Sequence, residues 1–301
     1  MDGVDAVDWG MEEGYEITER EHTRWIDVQG VFRGVGDFRG SMGEIWNERM
    51  NDMCKELRVT VWNEGVHEKI SDKVKKVYPK GMGNQIAQYL KKQEGIKSVY
   101  VSQLDDPDQG LSDKILDKTD VMTWWGHVAH DKVTEENAER VQKRVVEGGM
   151  GLVVLHSGHM SKPFRRLMGT SCMLKWREWK QEGERERVWV VNPGHPIVDG
   201  LPERFELEKS EMYGEHFDVP QPDQLVFISW FQGGEVFRSG CCWHRGLGKV
   251  FYFSPGHETI PIYYNENILK VIYNGILWAA PARVKGGIQR DHFEPPLEPL
   301  G

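Results

Sequence analysis

Histidines and carboxylates stand in short clusters along this chain: Glu64 in "TVWNE", His127 in "WWGHVAHD", His156, Ser157 and His159 in "LHSGHMS", Glu211, Tyr213 and His216 in "EMYGEHFD", His257 and Glu258 in "PGHE". Histidine is the side chain whose ordinary pKa lies nearest neutrality, and its neutral ring nitrogen ligates metals. A carboxylate beside it acts as a base, orients the ring or completes a ligand set. The i, i+3 pairs His127/His130 and His156/His159 share one face wherever a helical turn includes them. H-x-x-H alone is common by chance, so acid/base and hydrogen-bonding roles rank above metal binding. Zinc or manganese is the divalent metal such donors suit, with His127, His156, His159, His216 and His257 as candidate ligands.

The stretch "GLVVLHSGHMSKPFRRL" has the strand, tight turn and helix of a nucleophile elbow, yet histidine occupies the tip. Ser157 lacks the G-x-S-x-G context, and Cys172 lies too far beyond the strand, which argues against acyl transfer through a thiol. The four cysteines, Cys54, Cys172, Cys241 and Cys242, show no C-x-x-C spacing, so neither a disulfide framework nor a thiolate zinc site is expected. Cys241 and Cys242 read as the two faces of one strand.

These residues need elements to position them. From Arg58, strand-like "RVTVWN", "KSVYVSQ", "DVMTWWG" and "MGLVVLH" alternate with helix-like "GNQIAQYLKKQ", "SDKILDK" and "TEENAERVQKRVVEGG". The last has Thr134 as N-cap, acids in its first turn, and Val141 and Val145 on one face. Alternation at this spacing predicts βαβ units and a mainly parallel sheet covered on both faces. "LVFISWF", "EVFRSGCCW" and "KVFYFSPG" follow as strands, and "NENILKVIYNGILWAA" as a closing helix. "MLKWREWKQEGERERVWVV" reads as an inserted hairpin, and "GVHEKISDKVKKVYPKGMG" as a long connection able to act as a lid. Ligands of an open α/β sheet bind beyond the carboxyl ends of its parallel strands, where Asn63, Glu64, Gly126, His127, His156, Ser157, Gly256, His257 and Glu258 fall.

A net charge of −9 offers no field for nucleic acid, so small neutral or cationic ligands fit better. No apolar run approaches bilayer length, and the acidic amino terminus is unlike a signal peptide, so a cytoplasmic location is expected. The 12 tryptophans need a reason. Trp62, Trp124 and Trp125 at strand tips could form a wall for a sugar ring, although at least one of the adjacent pair must face the core. Residues 1–52 show no defensible periodicity and read as a poorly structured extension, or as sequence upstream of a start at Met50 or Met53. The Gly/Pro-rich tail covers 282–301, leaving 57–281 as the α/β domain.

"VMTWWGHVAH", "GLVVLHSGHMSKPFRRLMG", "NPGHPIVDGLP", "EMYGEHFDVPQPDQLVFISWF" and "GKVFYFSPGHETIPIYYNENILKVIYNGILWA" together resemble the trehalose-utilisation (ThuA-like) family over roughly residues 57 to 281. The resemblance implies a class I glutamine amidotransferase-like fold, a flavodoxin-like three-layer sandwich, without that superfamily's cysteine. It also implies carbohydrate catabolism and a functional link to sugar dehydrogenases that make 3-keto disaccharides. Positions matching its motifs are His156, His195, Glu211, Tyr213 and His257, with Trp125 and His127 typical of a close subgroup; His195 also reads as a turn-shaping residue.

The expected function is acid/base chemistry on a keto-sugar or glycoside, with His156, His257 and Glu211 catalytic. Glu64, Trp125, His127, Ser157, Tyr213 and His216 are expected to hold the carbohydrate or orient the catalytic groups. The alternative is a non-catalytic sugar-binding or assembly partner of a sugar dehydrogenase. A homo-oligomer is compatible with the sequence, which names neither sugar nor reaction.

Overall fold

A computed structural model describes residues 56–281, with 296, 298 and 299 of the tail. The expectations for residues 1–52 and for most of 282–301 lie outside the described residues. The chain divides into two units, 1–53 and 54–301, and the second carries the sheet with its helices.

Strands β1 (Leu57–Asn63), β2 (Ile96–Gln103), β3 (Val121–Trp125) and β4 (Gly151–Leu155) run parallel, and β1, β3 and β4 are almost wholly buried. Five more strands occur at Lys175–Arg177 (β5), Glu184–Val190 (β6), Arg204–Ser210 (β7), Met212–Gly214 (β8) and Gln224–Phe231 (β9). Val236–Arg245 (β10) and Gly248–Phe253 (β11) complete the set. The main sheet has the order β2-β1-β3-β4-β11-β10-β9-β6-β7. Its first five strands are all parallel and follow the flavodoxin-like order, and the remaining four extend it antiparallel.

The helices are α1 (His67–Ile70), α2 (Asp72–Val77), α3 (Met82–Leu90), α4 (Asp113–Leu116), α5 (Glu135–Val146), α6 (Lys162–Met168) and α7 (Glu266–Ala279). Thr134 Oγ1 accepts from the Asn137 amide to cap α5, as its spacing predicts, and Asn265 caps α7. On one face of the sheet, Val61, Trp125, Val153 and Phe253 pack with Ile86 and Leu90 of α3 and Ile268 and Ile272 of α7. On the other, Trp62, Trp124, Leu152 and Val154 pack with Val141 and Val145 of α5 and Phe164 of α6. Each such side chain contributes roughly 1.5–3 kcal/mol on burial. Alternate residues of a strand thus feed two cores: Cys241 enters one and Cys242 the other.

One expectation needs correction. β5 and β6 do not form a hairpin, because β5 pairs with β8 in a separate two-stranded ribbon while β6 joins β7 and β9 in the main sheet. The charged and aromatic alternation marked two strands correctly but not their partners. The long connection after β1 folds as α1 and α2, anchored by buried Val74 and by Tyr78, whose hydroxyl donates to the Ile260 carbonyl at 2.7 Å.

Candidate active site

The register of the parallel strands decides which residues meet. Asn63 lies beside Trp125, Trp125 beside Leu155 and Leu155 beside Phe253, so Glu64, Gly126, His156 and Ser254 emerge at one level. Each strand then turns, and the turns converge.

His156 opens a 3-10 turn, His156–Met160, with φ at +51°, in the left-handed region that costs a non-glycine residue of order 1–3 kcal/mol. It keeps an elbow's backbone with a histidine in the nucleophile's place. The His156 ring is fixed at both nitrogens: Nδ1 donates to the Ser254 carbonyl at 2.8 Å, and Nε2 lies 3.1 Å from Glu211 Oε2 and 3.3 Å from Tyr213 Oη. The Tyr213 ring stacks on it at 4.8 Å between centroids. Burial alone would depress the His156 pKa, but the bond to Glu211 and its charge outweigh burial, and the net shift is upward. Burial likewise raises Glu211, and His156 overcomes it, so Glu211 is held below the ordinary carboxylate range. The two groups form a buried imidazolium–carboxylate pair.

Gly256 makes this approach physically feasible. A Cβ there would sit 2.3 Å from Tyr263 Oη and 2.9 Å from His156 Cβ. Beyond it, His257 Nε2 is 3.9 Å from Glu211 Oε1, while His257 Nδ1 accepts from the Thr259 amide at 3.2 Å. Neutral His257 therefore carries its proton on Nε2. Burial lowers its pKa to about 4.

A cavity of about 590 Å³ opens over this group, within the range of small-molecule sites. Glu211, Tyr213, His127 and His257 border it at depth, and Lys73, Trp176 and Glu178 border it toward the mouth. His156 is 1% exposed and stands behind Glu211 and Tyr213. The expected direct role of His156 does not fit this placement: the group that borders the cavity is Glu211, and His156 stands behind it.

The other expected residues divide. His127 enters the cluster, its ring 5.9 Å from that of His257. Ser157 borders the cavity, but its hydroxyl donates to the Gly126 carbonyl at 2.8 Å and ties two strand tips together. Glu64 is buried and spent on the backbone, accepting from the amides of His127, Val128 and Ala129 at 2.8, 3.2 and 2.9 Å, so it shapes the His127 loop rather than meeting a ligand. Trp125 is also buried and packs in the core, its indole N–H donating to the Gly256 carbonyl at 2.9 Å. Trp62 and Trp124 stack on each other at 3.9 Å in the opposite core. None of these three tryptophans offers a sugar-binding wall. His216 is exposed and is not among the residues bordering the cavity. His195 accepts from the Ile197 amide and meets Gln224, shaping its turn beside a separate groove.

For a metal, two groups qualify among the described residues: His67, His127 and Glu258, and His127, Glu211 and His257, each with donor atoms within 4.8 Å of one another. Of the expected ligands, His127 belongs to both and His257 to the second. His156 drops out because both nitrogens are engaged, and His159 because it joins neither group. The first group fits a cation better. Its His67 Nε2 lies 3.6 Å from Glu258 Oε1, and the His67 and His127 rings each keep a buried Nδ1 without a hydrogen-bond partner, whereas His257 Nε2 of the second keeps its proton. His67 escaped the sequence reading because it lies four residues past Asn63, at the start of α1, beyond the two tip positions considered. Trp176 was hidden in the supposed hairpin.

The fold and site define a flavodoxin-like α/β protein whose elbow carries a histidine backing a carboxylate, with no thiol in the nucleophile's place. The sequence pattern of the ThuA family, described as trehalose utilisation, matches residues 58–279, and the chain belongs to that family. Among curated proteins none matches. Solved structures similar to this chain include a ThuA-like protein from Parabacteroides merdae (15% identity, TM-score 0.53, covering 79% of this chain and 94% of that one) and one from Bacteroides uniformis (13%, 0.52, 74% and 91%). At such identity they show the shared fold alone. No described helix is long and apolar enough to cross a membrane.

Proposed function

We propose that this chain performs acid/base chemistry on a keto-sugar or keto-glycoside within the carbohydrate utilisation that its family membership indicates. The carrying observation is Glu211, ionised against buried His156 and facing the cavity. A ketone makes the adjacent C–H acidic. The Glu211 carboxylate takes that proton, the electron pair forms the enolate, and the carbonyl oxygen accepts a hydrogen bond from His257 Nε2–H. Collapse of the enolate expels the glycosidic oxygen from the neighbouring carbon, and Glu211 returns its proton to that oxygen. The sequence is redox-neutral and needs no co-reactant.

A divalent cation held by His67, His127 and Glu258 is the second reading, favoured by the convergence of their donors and by the unpartnered buried ring nitrogens of His67 and His127. When bound there it would supply Lewis-acid polarisation of an oxygen. The test is turnover of a 3-keto-disaccharide by Glu211→Gln, an isosteric change that removes the base. Loss of turnover in a folded variant supports the assignment. Undiminished turnover overturns it, and sugar binding without turnover by the unsubstituted protein favours the non-catalytic partner of a dehydrogenase.

A further inference from the structure

Trp176 is the one tryptophan of the described residues whose environment folding does not explain. Trp62, Trp124, Trp125 and Trp243 are fully buried. Trp179, Trp189, Trp230 and Trp278 each have a cation over the ring, from Lys180, Arg204, Arg187 and Lys249 at 5.1 to 5.7 Å from the centroid, although Trp179 remains half exposed. Trp176 is 67% exposed, and among the described residues no ring or cation packs on it. An exposed indole that borders a cavity offers an apolar plate to whatever the cavity takes.

Its position says which ligand. In the β5–β8 ribbon Trp176 lies directly opposite Tyr213, so both side chains leave the same face with Cβ atoms about 5 Å apart. Tyr213 Oη reaches His156 Nε2 at 3.3 Å, while Trp176 borders the outer part of the same cavity. The ribbon thus runs from Tyr213, in contact with His156 of the Glu211–His156 pair, to the exposed aromatic face of Trp176 across the same cavity. Polar groups flank that face: the Glu178 carboxyl and Lys73 border the cavity, and the Lys73 ammonium bridges to the Gln181 carbonyl at 2.9 Å. An apolar plate beside hydroxyl-binding groups matches a pyranose, which has an apolar C–H face and a polar rim.

We propose that Trp176 is the platform of a second sugar subsite. The substrate is a glycoside of two rings at least, with the reacting ring at Glu211 and the departing sugar stacked on Trp176. The proposal rests on the acid/base reading for what happens at Glu211, but its test does not.

Calorimetric titration of the full chain with trehalose and with glucose, neither of which needs to react, reads the outer subsite directly. Trehalose is expected to bind tighter than glucose. Trp176→Ala should weaken trehalose about tenfold or more while glucose changes less than about twofold, and Trp176→Phe should retain most of the preference. With exposed Trp176 removed, circular dichroism should be unchanged. Equal loss of both sugars, no loss of either, or no preference for trehalose in the unsubstituted protein overturns the subsite. Loss of the preference in Trp176→Ala, alongside unimpaired turnover in Glu211→Gln, would retain the subsite and discard only the chemistry assigned to Glu211.

Discussion

Glu211 Oε2 meets His156 Nε2 at 3.1 Å, although Glu211 follows the outermost antiparallel strand, β7, and His156 ends a central parallel one, β4. The antiparallel extension delivers a carboxylate back over the strand tips, and the left-handed turn at His156 presents a ring to receive it. Neither half of the sheet builds the pair alone.

His156→Ala should therefore keep the fold and abolish turnover of a 3-keto-disaccharide, even though His156 is not expected to touch it. Removing the imidazolium leaves Glu211 buried without its cation, and such a carboxylate takes up a proton and ceases to be a base. Turnover at the rate of the unsubstituted protein would show that the pair is merely structural. Near-normal affinity with kcat lost is the expected signature.

Glu64→Ala should cost about 3 kcal/mol of stability, measured by urea denaturation. Three buried amides lose their acceptor at once, and each unmet donor costs roughly 1–3 kcal/mol before water or loop movement recovers part of it. Because those amides fix the loop that carries His127, turnover should fall as well. A variant as stable as the original would refute the anchoring role.

The parallel half of the fold was legible because period and length are local properties: buried "VTVW", "VMTWW" and "GLVVL" read as strands wherever they pair. Strand-tip logic likewise assembled His127, His156 and His257. What failed were properties of pairing and depth. The β5 and β6 strands look like neighbours in sequence, but β5 finds β8 some 35 residues on, a choice no local pattern encodes. Exposure was equally hidden: Trp125 sits at a strand tip and is buried by the loop from Ser254 to Glu258, while Trp176, on a short charged strand, is bare. His156 stands out in the sequence at the elbow tip, yet only the return of Glu211 shows that it stands behind the carboxylate.

Zinc titrated into the metal-free protein should bind at about one equivalent if His67, His127 and Glu258 form a cation site. His67→Ala should weaken binding by more than the roughly 10–100-fold that follows loss of an outer-shell partner. His216→Ala, at an exposed position, should leave it unchanged. Equal zinc affinity in the His67 variant and the parent would eliminate the site.

Away from the cavity, Glu186 gives the fold a pH dependence of its own. It is fully buried in β6 and accepts from the Ser229 hydroxyl through Oε1. Burial raises its pKa to about 7, only partly offset by the hydroxyls of Ser210 and Ser229. In the unfolded chain the same carboxyl ionises near pH 4.3. Between these values the unfolded state has lost a proton that the folded state keeps, so this group's effect is to lower stability as pH rises from about 4.3 to about 7, after which it levels off. A shift of that size corresponds to about 4 kcal/mol across the window. Glu186→Gln keeps the shape and the acceptor for Ser229 but cannot ionise. Its stability relative to the parent should therefore rise between pH 5 and pH 8 in urea denaturation, whereas parallel curves at the two pH values would show that Glu186 ionises as readily inside the sheet as outside it.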